Sequence, residues 1–133
     1  MSWDIFVQDF GDYASVEDIP DTFQPRPIGQ RASVIDTIRR VCPDVDFDDP
    51  NWGVLSGDGW SIEFNINAED PCTSFALHVR GDDGSIPVIA CLLNELGVRA
   101  IESAESEFFE EAVAPEAFGK WRACRDQVLG PGA

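Results

Sequence analysis

Residues 60–67, WSIEFNIN, alternate strictly: Trp60, Ile62, Phe64 and Ile66 fall on one side, and Ser61, Glu63, Asn65 and Asn67 on the other. Successive side chains of a strand point to opposite faces, so this pattern is a strand with one apolar and one wet face. Residues 74–80 repeat it, with Phe75, Leu77 and Val79 facing in and Ala76, His78 and Arg80 facing out. The polar segment 68–73 joins the two runs. The prediction is an antiparallel hairpin whose apolar face must be covered by another layer of the same chain.

The rest of the chain supplies that layer. Residues 30–41 place Val34, Ile35, Ile38 and Val41 on one helical stripe, with Asp36 and Arg40 spaced for an i,i+4 ion pair and Pro43 beyond the end. Residues 86–96 form a second helix, with Ser85 as cap, Pro87 in the first turn, Ile89, Leu92, Leu93 and Leu96 as stripe, and Gly97 at its end. Ala90 and Cys91 make this helix apolar around most of its girth, which predicts a central place in the core. A third helix is expected from Pro115 to about Leu129, with Phe118, Trp121 and Val128 inward and Gly130 as its stop. Strands are expected at 3–10, 53–56 and 98–102, the first covered on both faces at least in part, because Phe6 and Phe10 oppose Trp3, Ile5 and Val7. Gly57-Asp58-Gly59 reads as a tight turn. The expected architecture is α+β: two layers, a mostly antiparallel sheet of about five strands, and helices packed on one face, in one domain of 133 residues. The proline-rich segment 11–29 is long for a loop in a compact domain and draws functional attention; Ser15-Val16-Glu17-Asp18 within it suits a single helical turn.

Charge bounds the partners. Nine Lys and Arg stand against 25 Asp and Glu, a net charge of −16. Phosphate neutralisation needs cations, so this balance speaks against nucleic acid and against anionic membranes. No apolar run approaches the ~20 residues of a membrane span, and acids stand where an export signal needs bases. The four cysteines, Cys42, Cys72, Cys91 and Cys124, have no close C-x-x-C spacing and read as reduced thiols of a cytoplasmic protein, those at 91 and 124 as small core residues. His78 is the only histidine. Asp44, Asp46 and Asp48 resemble the start of a calcium loop, but Asp49 and Leu55 occupy the positions that need Gly and Glu, so no metal site is expected. The glycines near 53–59 and 81–84 match no phosphate-binding series and read as turn residues. No cofactor is expected.

Two surfaces remain as candidates. On the wet hairpin face, Glu63 is expected roughly opposite His78, with Asn65 and Arg80 beside them. That set offers an imidazole base and an arginine anion clamp to a small enzyme or ligand-binding domain, or it is a cross-strand polar cluster. The second surface is acidic and aromatic. Asp44, Asp46, Asp48 and Asp49 form an acidic connector, and Trp52, Phe108 or Phe109 are candidates for an apolar anchor within an acidic rim. Such a surface attracts a basic protein by long-range steering.

At MSWDIFVQDF, SVEDIP, DPNWGVLSGDGWSIEFNIN, SFALHVRG and KWRACRDQV, the chain resembles a group of short acidic bacterial proteins that begin with this Trp-Asp-Ile-Phe strand. The resemblance covers most of the chain. It implies a bacterial cytoplasmic protein and carries no catalytic residues. In size and acidity the chain is also similar to immunity proteins of bacterial polymorphic toxin systems. The leading expectation is therefore a protein-binding module, an immunity-type inhibitor of a basic partner. The alternative is an enzyme or ligand-binding domain working through Glu63, His78 and Arg80. An oligomeric subunit joined through exposed aromatic residues is a third reading.

Overall fold

The computed structural model describes residues 2–129. Seven strands form one antiparallel sheet: β1 (Trp3–Gln8), β2 (Asp46–Asp49), β3 (Trp52–Ser56), β4 (Trp60–Asn65), β5 (Ser74–Gly81), β6 (Arg99–Glu102) and β7 (Glu107–Phe108). Their spatial order is β2-β3-β4-β5-β1-β6-β7. Three helices, α1 (Arg31–Val41), α2 (Ile86–Leu96) and α3 (Ala114–Leu129), pack on the sheet. The fold is α+β, with seven strands where about five were expected.

The sheet sorts its side chains by alternation. Trp3, Ile5 and Val7 of β1, Ile62 and Phe64 of β4, Phe75, Leu77 and Val79 of β5 and Ala100 of β6 are all buried on the helix side. Val34, Ile35 and Ile38 of α1 and Ile86, Ile89, Leu92 and Leu93 of α2 complete this core. Phe118 of α3 meets Trp3 edge-on at 5.4 Å between ring centroids and Trp121 at 5.3 Å. The side chain of Val128 and the helix-ending Gly130 lie outside the described residues.

Several local expectations change. The acidic connector contains strand β2: Phe47 turns inward beneath Gly53 and beside Phe64, and the strand pairs with β3 although Asp is a poor strand former. The expected Asp36–Arg40 pair gives way to a bridge between helices, Arg40 to Glu95 at 3.5 Å. Ser85 makes no side-chain cap. It lies in a 3-10 turn before α2, fully buried, where its backbone is already helical. Gly97 does end α2, in the left-handed conformation at φ 67°. Cys91 is exposed on α2, because the α2 stripe turns Leu92 and Leu93 inward instead; Cys124 is exposed as well. The buried thiols are Cys42 and Cys72. Burial pushes the Cys42 thiol up to about 11, with the neighbouring Cys91 adding to the shift.

β1 is covered on the helix side and partly open on the other. Phe6 stands 46% exposed, whereas Phe10 is buried against Phe108. The reason lies in segment 11–29. Its expected single turn forms at Val16–Asp18, and the segment is tied down by bridges from Asp9 to Arg26 and from Gly29 to Cys72. Arg99 donates to the Tyr13 carbonyl at 2.6 Å, so this segment anchors at the β6–β7 end of the sheet and leaves Phe6 uncovered.

Candidate functional site

The face opposite the helices divides in two. At the β6–β7 end, the Arg99 guanidinium lies 3.5 Å from the centre of the Phe108 ring, and Phe10 meets that ring edge-on. Phe108 is therefore 7% exposed. Phe109, one residue on, points to the helix side, 6.2 Å from Trp3, and is 8% exposed. Neither is an exposed anchor, which corrects the sequence expectation: both rings are consumed by packing.

The remainder of the face, across β3, β4, β5 and β1, is open. Its rows follow from the strand register. Val54 faces Glu63, Glu63 faces His78, and His78 faces Asp4. In the adjacent row Trp52 faces Asn65, Asn65 faces Ala76, and Ala76 faces Phe6. Trp52 and Val54, 36% and 38% exposed, form an apolar pair on β3, whereas Phe6 stands three strands away on β1 in the row of Trp52.

The register places Glu63 opposite His78, as alternation implied, but the polar contacts run elsewhere. His78 Nδ1 lies 2.8 Å from Asp4 Oδ1, and Arg80 Nη1 lies 2.8 Å from Glu63 Oε1. The imidazole also stacks on Trp52, with centroids 5.6 Å apart and planes at 20°. Asp4 escaped the sequence reading because its neighbour β5 is more than 70 residues away in the chain. The only local signal was its place among the outward alternate positions of β1. Arg80 also borders a shallow opening with Gly57, Gly59 and Trp60, away from His78.

Asp44, Asp46, Asp48 and Asp49 are all exposed. Asp46 stands opposite Val54 and Asp49 opposite Trp52. Among the described residues none of the four has an ion-pair partner. Asp46 Oδ1 accepts the Asp48 N–H at 2.8 Å, and Asp49 Oδ1 accepts the Asn51 N–H at 2.9 Å. The β2–β3 turn is fixed from below by Arg31. Its Nη2 donates to the Pro50 carbonyl at 2.7 Å and its Nε to the Asn67 carbonyl at 2.8 Å. Trp52 is thus presented from a clamped hairpin.

A second acidic region surrounds a cavity of about 120 Å³ near Glu102, Glu105 and Glu116. Glu102, 2% exposed, is satisfied there. It accepts from Trp3 Nε1 at 3.1 Å and from the backbone N–H groups of Ala104 at 2.8 Å and Glu105 at 3.0 Å. Residue 102 falls in an expected strand, and its alternation with Ala100 is the sequence signal that aims its carboxylate at the core. Among the described residues no group of His, Cys, Asp and Glu is placed to hold a metal ion, and no helix is long and apolar enough to cross a membrane. Compared with known proteins, the chain matches no family model, no curated sequence and no solved structure.

Proposed function

We propose that this chain is an acidic protein-binding module whose open sheet face receives a basic protein, in the manner of an immunity-type inhibitor. The observation that carries the reading is the exposed pair Trp52 and Val54 on β3 with Asp49 and Asp46 opposite them on β2, in a segment where Asp44 and Asp48 are exposed as well. An aromatic anchor inside a charged rim is the arrangement of a binding hot spot. The net charge of −16 steers cations toward the molecule and repels a second copy of it. Self-association through this face is therefore the weaker use of it.

Catalysis through Glu63, His78 and Arg80 has less support. Glu63 and Arg80 are engaged with each other, and His78 with Asp4, on a sheet face rather than in a cleft. The test starts with capture of binding proteins from a host lysate at low salt and identification of what a salt step releases. The association rate of a purified basic partner is then measured against the chain with Asp44, Asp46, Asp48 and Asp49 all changed to Asn. Steering predicts a rate lower by about tenfold at low ionic strength, with the difference shrinking as salt rises. An unchanged association rate overturns the reading.

A further inference from the structure

Resting on that docking reading, we propose that the partner is anchored by an arginine laid flat on the outer face of the Trp52 indole and paired with the carboxylates of Asp46 and Asp49. The inner face of the indole is occupied by the His78 ring, which Asp4 holds in turn. The platform is therefore oriented before anything binds, while the residue remains 36% exposed. A cation resting on an aromatic face is attracted by the ring quadrupole, and a planar guanidinium adds stacking that a compact ammonium cannot.

The carboxylates point to the same ligand. Glu63 and Asp4 already have cationic or imidazole partners within the face. Asp46 and Asp49 do not, and each spends only Oδ1 on a backbone N–H. Their Oδ2 atoms stay available beside Trp52 and Val54, the two residues they oppose in register. A guanidinium offers donors in a fixed fork to such oxygens while its plane covers the ring. The chain uses the same contact internally: on the other side of β2 the Arg39 guanidinium sits 5.5 Å from the centre of the Phe47 ring, and Arg99 covers Phe108.

The test compares two dye-labelled peptides of equal length and charge, one alternating Gly and Arg and one alternating Gly and Lys, by fluorescence anisotropy at low salt. The arginine peptide is expected to bind about two- to fivefold more tightly. Trp52→Leu should abolish that preference while leaving the residual, charge-driven binding of both peptides. Trp52→Phe, which keeps a smaller ring, should preserve part of it. The double change Asp46→Asn with Asp49→Asn should weaken both peptides and the arginine peptide more. Equal binding of the two peptides, lost on removal of the aspartates, overturns the arginine anchor and leaves the acidic docking face standing. Absence of binding by either peptide removes the docking face and the anchor together.

Discussion

Replacing Glu102 by Ala should be among the most damaging single changes in the sheet. The carboxylate is the partner of Trp3 Nε1, and Trp3 is fully buried between β6 and α3. Loss of the carboxylate leaves that N–H without its partner, and an unpaired buried donor costs about 1–3 kcal/mol. The Ala104 and Glu105 N–H groups belong to exposed residues and can turn to solvent, so they add only about 0.5 kcal/mol each. The expected loss is about 2–4 kcal/mol, a large part of the ~5–15 kcal/mol typical of a domain. Glu102→Gln keeps a side-chain oxygen for the indole and should lose less than half as much. Urea unfolding followed by tryptophan fluorescence reads both variants, with the midpoint moving by about 1–2 M for the alanine variant at an ordinary denaturant slope. A loss below about 0.5 kcal/mol for Glu102→Ala, or equal losses for the two variants, would show that the carboxylate is not what holds Trp3.

Other expectations follow from single contacts. A Cβ on Gly57 would stand 2.0 Å from the Trp60 ring, whereas one on Gly29 meets nothing within 4 Å. Gly57→Ala should therefore cost about 1–3 kcal/mol in thermal or urea unfolding and Gly29→Ala under about 0.5 kcal/mol. At pH 8 an alkylating reagent should label Cys91 and Cys124 first, and Cys42 and Cys72 only as the protein unfolds, which mass spectrometry resolves. Because the Cys42 thiol is raised from 9.0 to about 11, the unfolded chain ionises before the folded one. Its contribution to stability is present below pH 9 and lost as the pH climbs from 9 to about 11, a decline that Cys42→Ala should reduce. Arg31→Ala should free the Pro50–Asn51 turn and speed amide exchange at Ile66, whose N–H is bonded to the Asn51 carbonyl.

What the sequence disclosed and what it hid divide along physical lines. The inward and outward positions of residues 60–65 and 74–80 follow from alternation alone, and so does the opposition of Glu63 and His78. β2 was hidden because Asp46, Asp48 and Asp49 have the composition of a loop. Only Phe47, seated under a glycine of the next strand, turns the segment into a strand. β7 comprises only Glu107 and Phe108 and has no period to read. The burial of Phe108 depends on an arginine and a loop that approach from distant parts of the chain. The Asp4–His78 contact likewise depends on strand order, which local pattern does not encode. The acidic residues and Trp52 were identified as binding candidates from composition; their assembly on one patch came from the β2–β3 pairing.

The position of β1 has a consequence for how the molecule is made. β1, made before the other six strands of this sheet, occupies an interior slot, with β5 on one side and β6 on the other. Its neighbours Val79 and Ala100 are synthesised much later, so β1 must wait without a pairing strand until about three-fifths of these residues have been made, and longer for its second neighbour β6. During that interval Trp3, Ile5, Phe6 and Val7 form an exposed apolar strand, a natural client for a chaperone. The same arrangement makes the sheet divisible. A fragment beginning after Phe10 retains two facing unpaired edges, and a peptide carrying residues 2–10 supplied in trans is the piece that fits between them.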